Sequence, residues 1–126
     1  MKIKQNLLFS LLKVLTEVID LEDKALGAYQ GYKIPETREE ELEEKRLLSK
    51  LNEIEDFRER LIIQIAFAWI DFGKDKLPKF SDSDLRYFGF PNEVYAKNWM
   101  ELIRNTIDWE ESAKLYYWFY FEDRNE

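Results

Sequence analysis

Two residue types are missing altogether from this chain: it has no cysteine and no histidine. Their absence excludes disulfides, thiolate and imidazole metal sites, cysteine nucleophiles and histidine-based triads. Any catalysis would rest on carboxylates with a hard cation, or on Lys, Tyr or Ser, and no cofactor is expected. A chain without cysteine also carries no mark of its redox compartment. Glycine and proline are scarce, at four and three, so turns should be few and elements long. Long hydrophobic runs are missing too. The longest nearly uninterrupted one, residues 61–72, "LIIQIAFAWIDF", falls well short of the roughly 20 residues a membrane span needs.

Positive charge is in deficit. Lys and Arg number 19 against 26 Asp and Glu, a net charge of −7. That balance argues against direct binding of nucleic acid or an anionic membrane, both of which need Lys and Arg on phosphates. The opening "MKIKQNLLFSLLKVL" has the basic start and apolar run of a signal peptide. Asn6, Ser10 and Lys13 interrupt it, however, and no small-residue cleavage site follows. It reads as a helix of the mature chain, and the protein as soluble and cytoplasmic, in the host cytoplasm if it is viral.

What is present is apolar periodicity and aromatic bulk. With 45% hydrophobic and 36% charged residues the chain lies outside the composition of disordered proteins, and its 126 residues suit one core. Ile3, Leu7, Leu11, Val14, Val18, Leu21 and Ala25 recur at spacings of four and three, with Leu8, Leu12, Leu15 and Ile19 as a second stripe beside them. This predicts a first helix over residues 3–26, ended by Gly27. Pro35 and then Thr37, with Glu40 three residues on, form a capping box that opens a second helix. Its stripe, Leu51, Ile54, Phe57, Leu61, Ile65, Ala68 and Phe72, runs without Gly or Pro to Gly73. That is about 50 Å of helix at 1.5 Å per residue, long enough for a kink near residues 52–56. Its second half is apolar nearly all round and must be buried centrally or against a partner.

Residues 73–83, "GKDKLPKFSDS", form the connector. Ser81 or Ser83 could cap a short turn that Gly89 ends. A further helix starts near Pro91 or Asn92, with Tyr95, Trp99, Leu102 and Thr106 on one side and Met100, Ile103 and Ile107 beside them. Asp108 with Glu111 caps the last segment, "LYYWFYF", six of whose seven residues are consecutive aromatics. By β-propensity this is the best strand in the chain, yet no comparable strand exists to pair with it, and the upstream cap and Ala113 favour helix. Trp109, Ala113, Tyr116, Tyr117 and Tyr120 then share one side while Leu115, Trp118, Phe119 and Phe121 cover others. Such a helix has no polar face, and either wedges into the seam between the first two helices or docks onto a second copy.

The expected fold is therefore all-α: a single helical domain over residues 1–126, with a long antiparallel helix pair in 1–72 and two or three shorter aromatic helices in 84–122. The interface candidates are Trp69, Trp99, Trp109, Tyr116, Trp118, Phe119 and Tyr120.

The densest charge run, "REEELEEKR", is an acidic-face candidate through Glu40, Glu41, Glu43 and Glu44. Its glutamates match an EExxE pattern, and Glu53 with Asp56 stands at ExxD spacing. These residues resemble the metal-binding signature of the all-α, MazG-like nucleotide pyrophosphohydrolases. The resemblance implies magnesium held by Glu40, Glu41, Glu44, Glu53 and Asp56 and hydrolysis of a nucleotide. It spans about 17 residues, and only eight separate its halves with no helix break, so both lie on one rod and would converge only between two copies. The alternative is a solvated face with Glu41 paired to Lys45 one turn on. "DFG" at Asp71 to Gly73 lacks every other kinase element. Gln64 and Asp71, one heptad apart, mark a polar edge or a buried polar contact.

The function that fits is a non-catalytic interaction module: a homodimer, a small subunit, or an inhibitor of a larger complex, including the case of a phage or viral inhibitor that offers its carboxylates to a basic groove of a host defence nuclease. The alternatives are the magnesium-dependent hydrolase and an immunity or antitoxin-like binder.

Overall fold

A computed structural model describes residues 2–31 and 34–122. Met1, Tyr32, Lys33 and the acidic end at 123–126 lie outside it, as do the side chains of Lys2, Ile3 and Glu122. Five α-helices follow in order: α1 (Lys2–Gln30), α2 (Arg38–Phe72), α3 (Asp82–Phe88), α4 (Glu93–Thr106) and α5 (Trp109–Tyr117), closed by one π-helical turn (Trp118–Glu122). No strand occurs among the described residues. The architecture is the expected one, a long antiparallel hairpin of α1 and α2 with shorter C-terminal helices packed on it.

The hairpin forms because the inner stripe of α1 meets the stripe of α2. Leu8, Leu12 and Leu15 on one helix and Ile65 and Trp69 on the other retain at most 1% of their surface, and Met100 of α4 is closed off with them. Burying one such side chain stabilises by about 1.5–3 kcal/mol, which outweighs the local conflicts along the helices. An ion pair between Arg58 Nε and Glu22 Oε1, 2.8 Å apart, also joins the two rods.

Gly27 was expected to end α1, yet the helix runs through it to Gln30, and Gly31 donates its N–H to the Gly27 carbonyl at 3.0 Å. Gly27 adopts no left-handed conformation. Ala25 and Tyr29 remain half-buried on either side of it, so packing continues past a residue that costs only about 1 kcal/mol in a helix. α2 is one helix of 35 residues through the segment where a kink was foreseen. It ends at Gly73, with φ 127°, whose N–H reaches the Trp69 carbonyl at 2.7 Å.

The caps carry over from sequence with one change. Thr37 Oγ1 accepts from the Glu40 amide at 3.1 Å, but the Glu40 carboxylate accepts from the amide of Glu36, one residue before the cap, rather than from Thr37 itself. Ser81, not Ser83, opens α3 with a full capping box through Asp84, and Gly89 closes it in the left-handed region. Asn92 caps α4 and Asp108 caps α5 through the amide of Glu111. On α4 the inward side is Ala96, Met100 and Ile103, with Ile107 after it, whereas Tyr95 and Leu102 face outward.

The aromatics of the C-terminal half divide into two groups. Phe9 of α1 packs on Phe80 and Phe88 with centroids 4.9 and 5.6 Å apart, and Phe90 joins Phe88 and Trp99. Trp69 meets Trp109 edge-on at 5.9 Å. The second group is the terminal run.

Candidate interaction surface at the aromatic C-terminal turn

α5 starts where Asp108 satisfies the amide of Glu111 at 3.0 Å, and Trp109 ties its first turn down by donating its indole N–H to the Arg104 carbonyl at 3.0 Å. The helix then lies along α2. Phe67 on α2 is the contact: it meets Tyr116, Phe119 and Tyr120 edge-on, with centroids 5.6, 5.9 and 6.2 Å apart. Tyr116 adds a polar anchor, its hydroxyl donating to the carboxylate of Asp71. That hydrogen bond, with partial burial and the negative charge beside it, pushes the Tyr116 hydroxyl up to about 12.

Beyond this anchor the chain widens into the π-helical turn, a rare geometry that is frequently found at functional sites. The outcome for the aromatics is exposure. Tyr117, Trp118, Phe119, Tyr120 and Phe121 keep 59, 47, 45, 54 and 59% of their surface in solvent. The run docks along α2 and does not fill the seam between α1 and α2. Five rings of about 200 Å² each, half exposed, present roughly 500 Å² of aromatic surface. Patches of that size on a monomer are commonly functional.

The seven aromatic candidates therefore fall in different places. Trp69 has no exposed surface and donates its indole N–H to the Lys76 carbonyl at 2.8 Å, as a core residue does. Trp99 and Trp109 are half-buried and pack on the core. Tyr116 is the anchor, and Trp118, Phe119 and Tyr120 form the surface itself. Sequence reasoning missed Phe67, which the all-round apolar stretch of α2 conceals, and gave no weight to Ile63, 38% exposed one turn away. Gln64 is exposed, and Asp71 lies on the same edge.

The acidic face lies on the first turns of α2. Leu51 is the first fully buried residue of that helix, and Leu42 and Leu48 ahead of it are 55 and 39% exposed. Glu40, Glu43 and Glu44 are half-buried and Glu41 is exposed. The ion pair in this run joins Glu43 to Arg46, whose Nε donates at 3.0 Å, and not Glu41 to Lys45. A planar guanidinium reaches both carboxylate oxygens at once, which an ammonium cannot. This hydrogen bond holds the Glu43 carboxyl below its ordinary range. Glu53 and Asp56 are exposed further along the same rod, and among the described residues no three carboxylates gather closely enough to hold a metal ion.

Among the described residues no helix is long and apolar enough to cross a membrane. Comparison of the chain with protein-family models, with curated proteins and with solved structures gives no match.

Proposed function

We propose that this chain is a non-catalytic protein–protein interaction module of the cytoplasm, a small subunit or inhibitor of a larger complex, whose contact surface is the aromatic turn built on Phe67 and Asp71. One observation carries the reading. Five consecutive aromatics, each about half exposed, sit on a helix that is capped, indole-anchored and tied to α2. Side chains of these types are the ones enriched at interface centres, where they lose their water to a partner. The acidic first turns of α2 supply charge suited to a basic partner.

The experiment is capture of a partner from the native host by the whole chain and by a Tyr117→Ser/Phe121→Ser variant. Both residues are largely exposed, so the variant should melt as the parent does and lose the partner. Equal capture by both would refute the reading. Assay of nucleotide hydrolysis with millimolar magnesium bears on the hydrolase alternative: turnover would overturn the non-catalytic assignment.

A further inference from the structure

We propose that the cleft where α1, α2 and α4 meet the inner face of α5 is a binding site for a small organic cation, a primary amine carried on an apolar body. Two helix faces make the cleft. On α2, Arg58, Glu59, Ile62 and Ile63 stand at spacings that place them on one side, and Asp108, Glu111, Ser112 and Leu115 do the same along the cap and body of α5. Where these faces oppose each other, α5 offers a serine in place of a large apolar side chain. The gap left is about 380 Å³, within the range of about 300–1,000 Å³ typical of small-molecule pockets, which occur between the helices of bundles. Leu15 and Ile19 of α1 and Ile103 of α4 line it beside Ile62, so its floor is apolar.

Two observations give the chemistry of the guest. The first is Ser112, the only polar residue buried among the described residues, at 6% exposure. It lines the cleft, and its hydroxyl makes no hydrogen bond among the described residues. A buried hydroxyl ordinarily has a partner, and this one has only the cleft to find it in.

The second is charge. Arg58 is neutralised by Glu22 at 2.8 Å, whereas Glu59, Asp108 and Glu111 have no ion-pair partner among the described residues. Asp108 spends one oxygen on the Glu111 amide and keeps the other. The rim is therefore negative over an apolar floor. An organic anion is repelled by that rim, and a neutral guest leaves it without a counter-charge. An ammonium brings three donors, enough in number for Glu59, Glu111 and the Ser112 hydroxyl, while its apolar body displaces water from the isoleucines. None of the five exposed rings of the terminal turn lines the cleft, so this site and the interaction surface fail separately.

Titration of the whole chain, its isoleucine methyls isotope-labelled, with hexylamine, 1-hexanol and hexanoate at neutral pH tests the proposal. The three probes share one chain and differ in head-group charge. The methyl resonances of Ile19, Ile62 and Ile103 should shift saturably with hexylamine, about tenfold more weakly with hexanol, as two exposed charge pairs warrant, and more weakly still with hexanoate. Glu59→Gln/Glu111→Gln alters exposed carboxylates, so it should melt as the parent does and bring hexylamine down to the level of hexanol. Ser112→Ala, which a helix accepts readily, should keep the fold and weaken hexylamine several-fold. No saturable shift with hexylamine, hexanoate bound as tightly as hexylamine, an unchanged preference for the amine in Glu59→Gln/Glu111→Gln, or undiminished affinity in Ser112→Ala would each overturn the proposal.

Discussion

The two indoles of Trp69 and Trp118 stand for two regions built from the same residue types. Trp69 has no exposed surface, its N–H is satisfied by the Lys76 carbonyl, and Trp109 lies edge-on against it. Trp118 keeps 47% of its surface and, among the described aromatics, pairs only with its neighbour Phe119. Aromatic content alone therefore does not say whether a ring belongs to a core or to a contact. What distinguishes the two is the polar tip and the cover: a buried indole needs a partner for its N–H and walls on every side, whereas Trp118 keeps nearly half its surface in solvent.

The sharpest break of this contrast is Trp69→Ala. It should cost about 3–5 kcal/mol, the range for emptying a fully packed aromatic site, read by denaturant unfolding. Phe67→Ala comes next. It removes the ring on which three terminal aromatics rest, and with edge-to-face pairs contributing about 0.5–1.5 kcal/mol each it should cost at least about 1.5 kcal/mol and loosen the terminal turn first, visible as early proteolysis after Lys114. Trp118→Ala or Phe119→Ala should cost about 1 kcal/mol or less, since surface changes without a buried partner are small. A loss on the scale of Trp69→Ala would place these rings in the core after all.

The smallest effect is on pH. The Tyr116 hydroxyl titrates higher in the folded chain, at about 12, than its ordinary value of 10.0. The folded state therefore holds a proton that the unfolded state releases, so its contribution is complete below pH 10 and fades as pH rises from 10 toward 12. Tyr116 is only partly buried, so the change is modest. Tyr116→Phe should abolish this alkaline step in a melting series and leave neutral-pH stability nearly unchanged.

Much of the fold was legible because the signals were local. Thr37, Asn92 and Asp108 each meet an amide three residues on, and Gly73 and Gly89 carry the positive φ that ends their helices. Gly27 misled because a glycine stops a helix only where packing also stops, and Ala25 and Tyr29 carry the packing past it. The inward side of α4 was ambiguous because Tyr95, Trp99 and Leu102 share the period of Met100 and Ile103. Only the position of the hairpin decides between them. The terminal surface was half legible: the run was visible as aromatic and capped, but Phe67, 49 to 53 residues away from its three ring partners, was not. Contacts of that separation leave no periodic trace.

The most direct measurement combines two readings on one variant, Trp118→Ser/Phe121→Ser. The melting temperature should fall by no more than a few degrees, while binding of a hydrophobic dye to the folded chain drops to a minor fraction of the parent's. A large fall in melting temperature with dye binding unchanged would contradict the account, because it would make the aromatic turn part of the core and leave the exposed contact surface elsewhere.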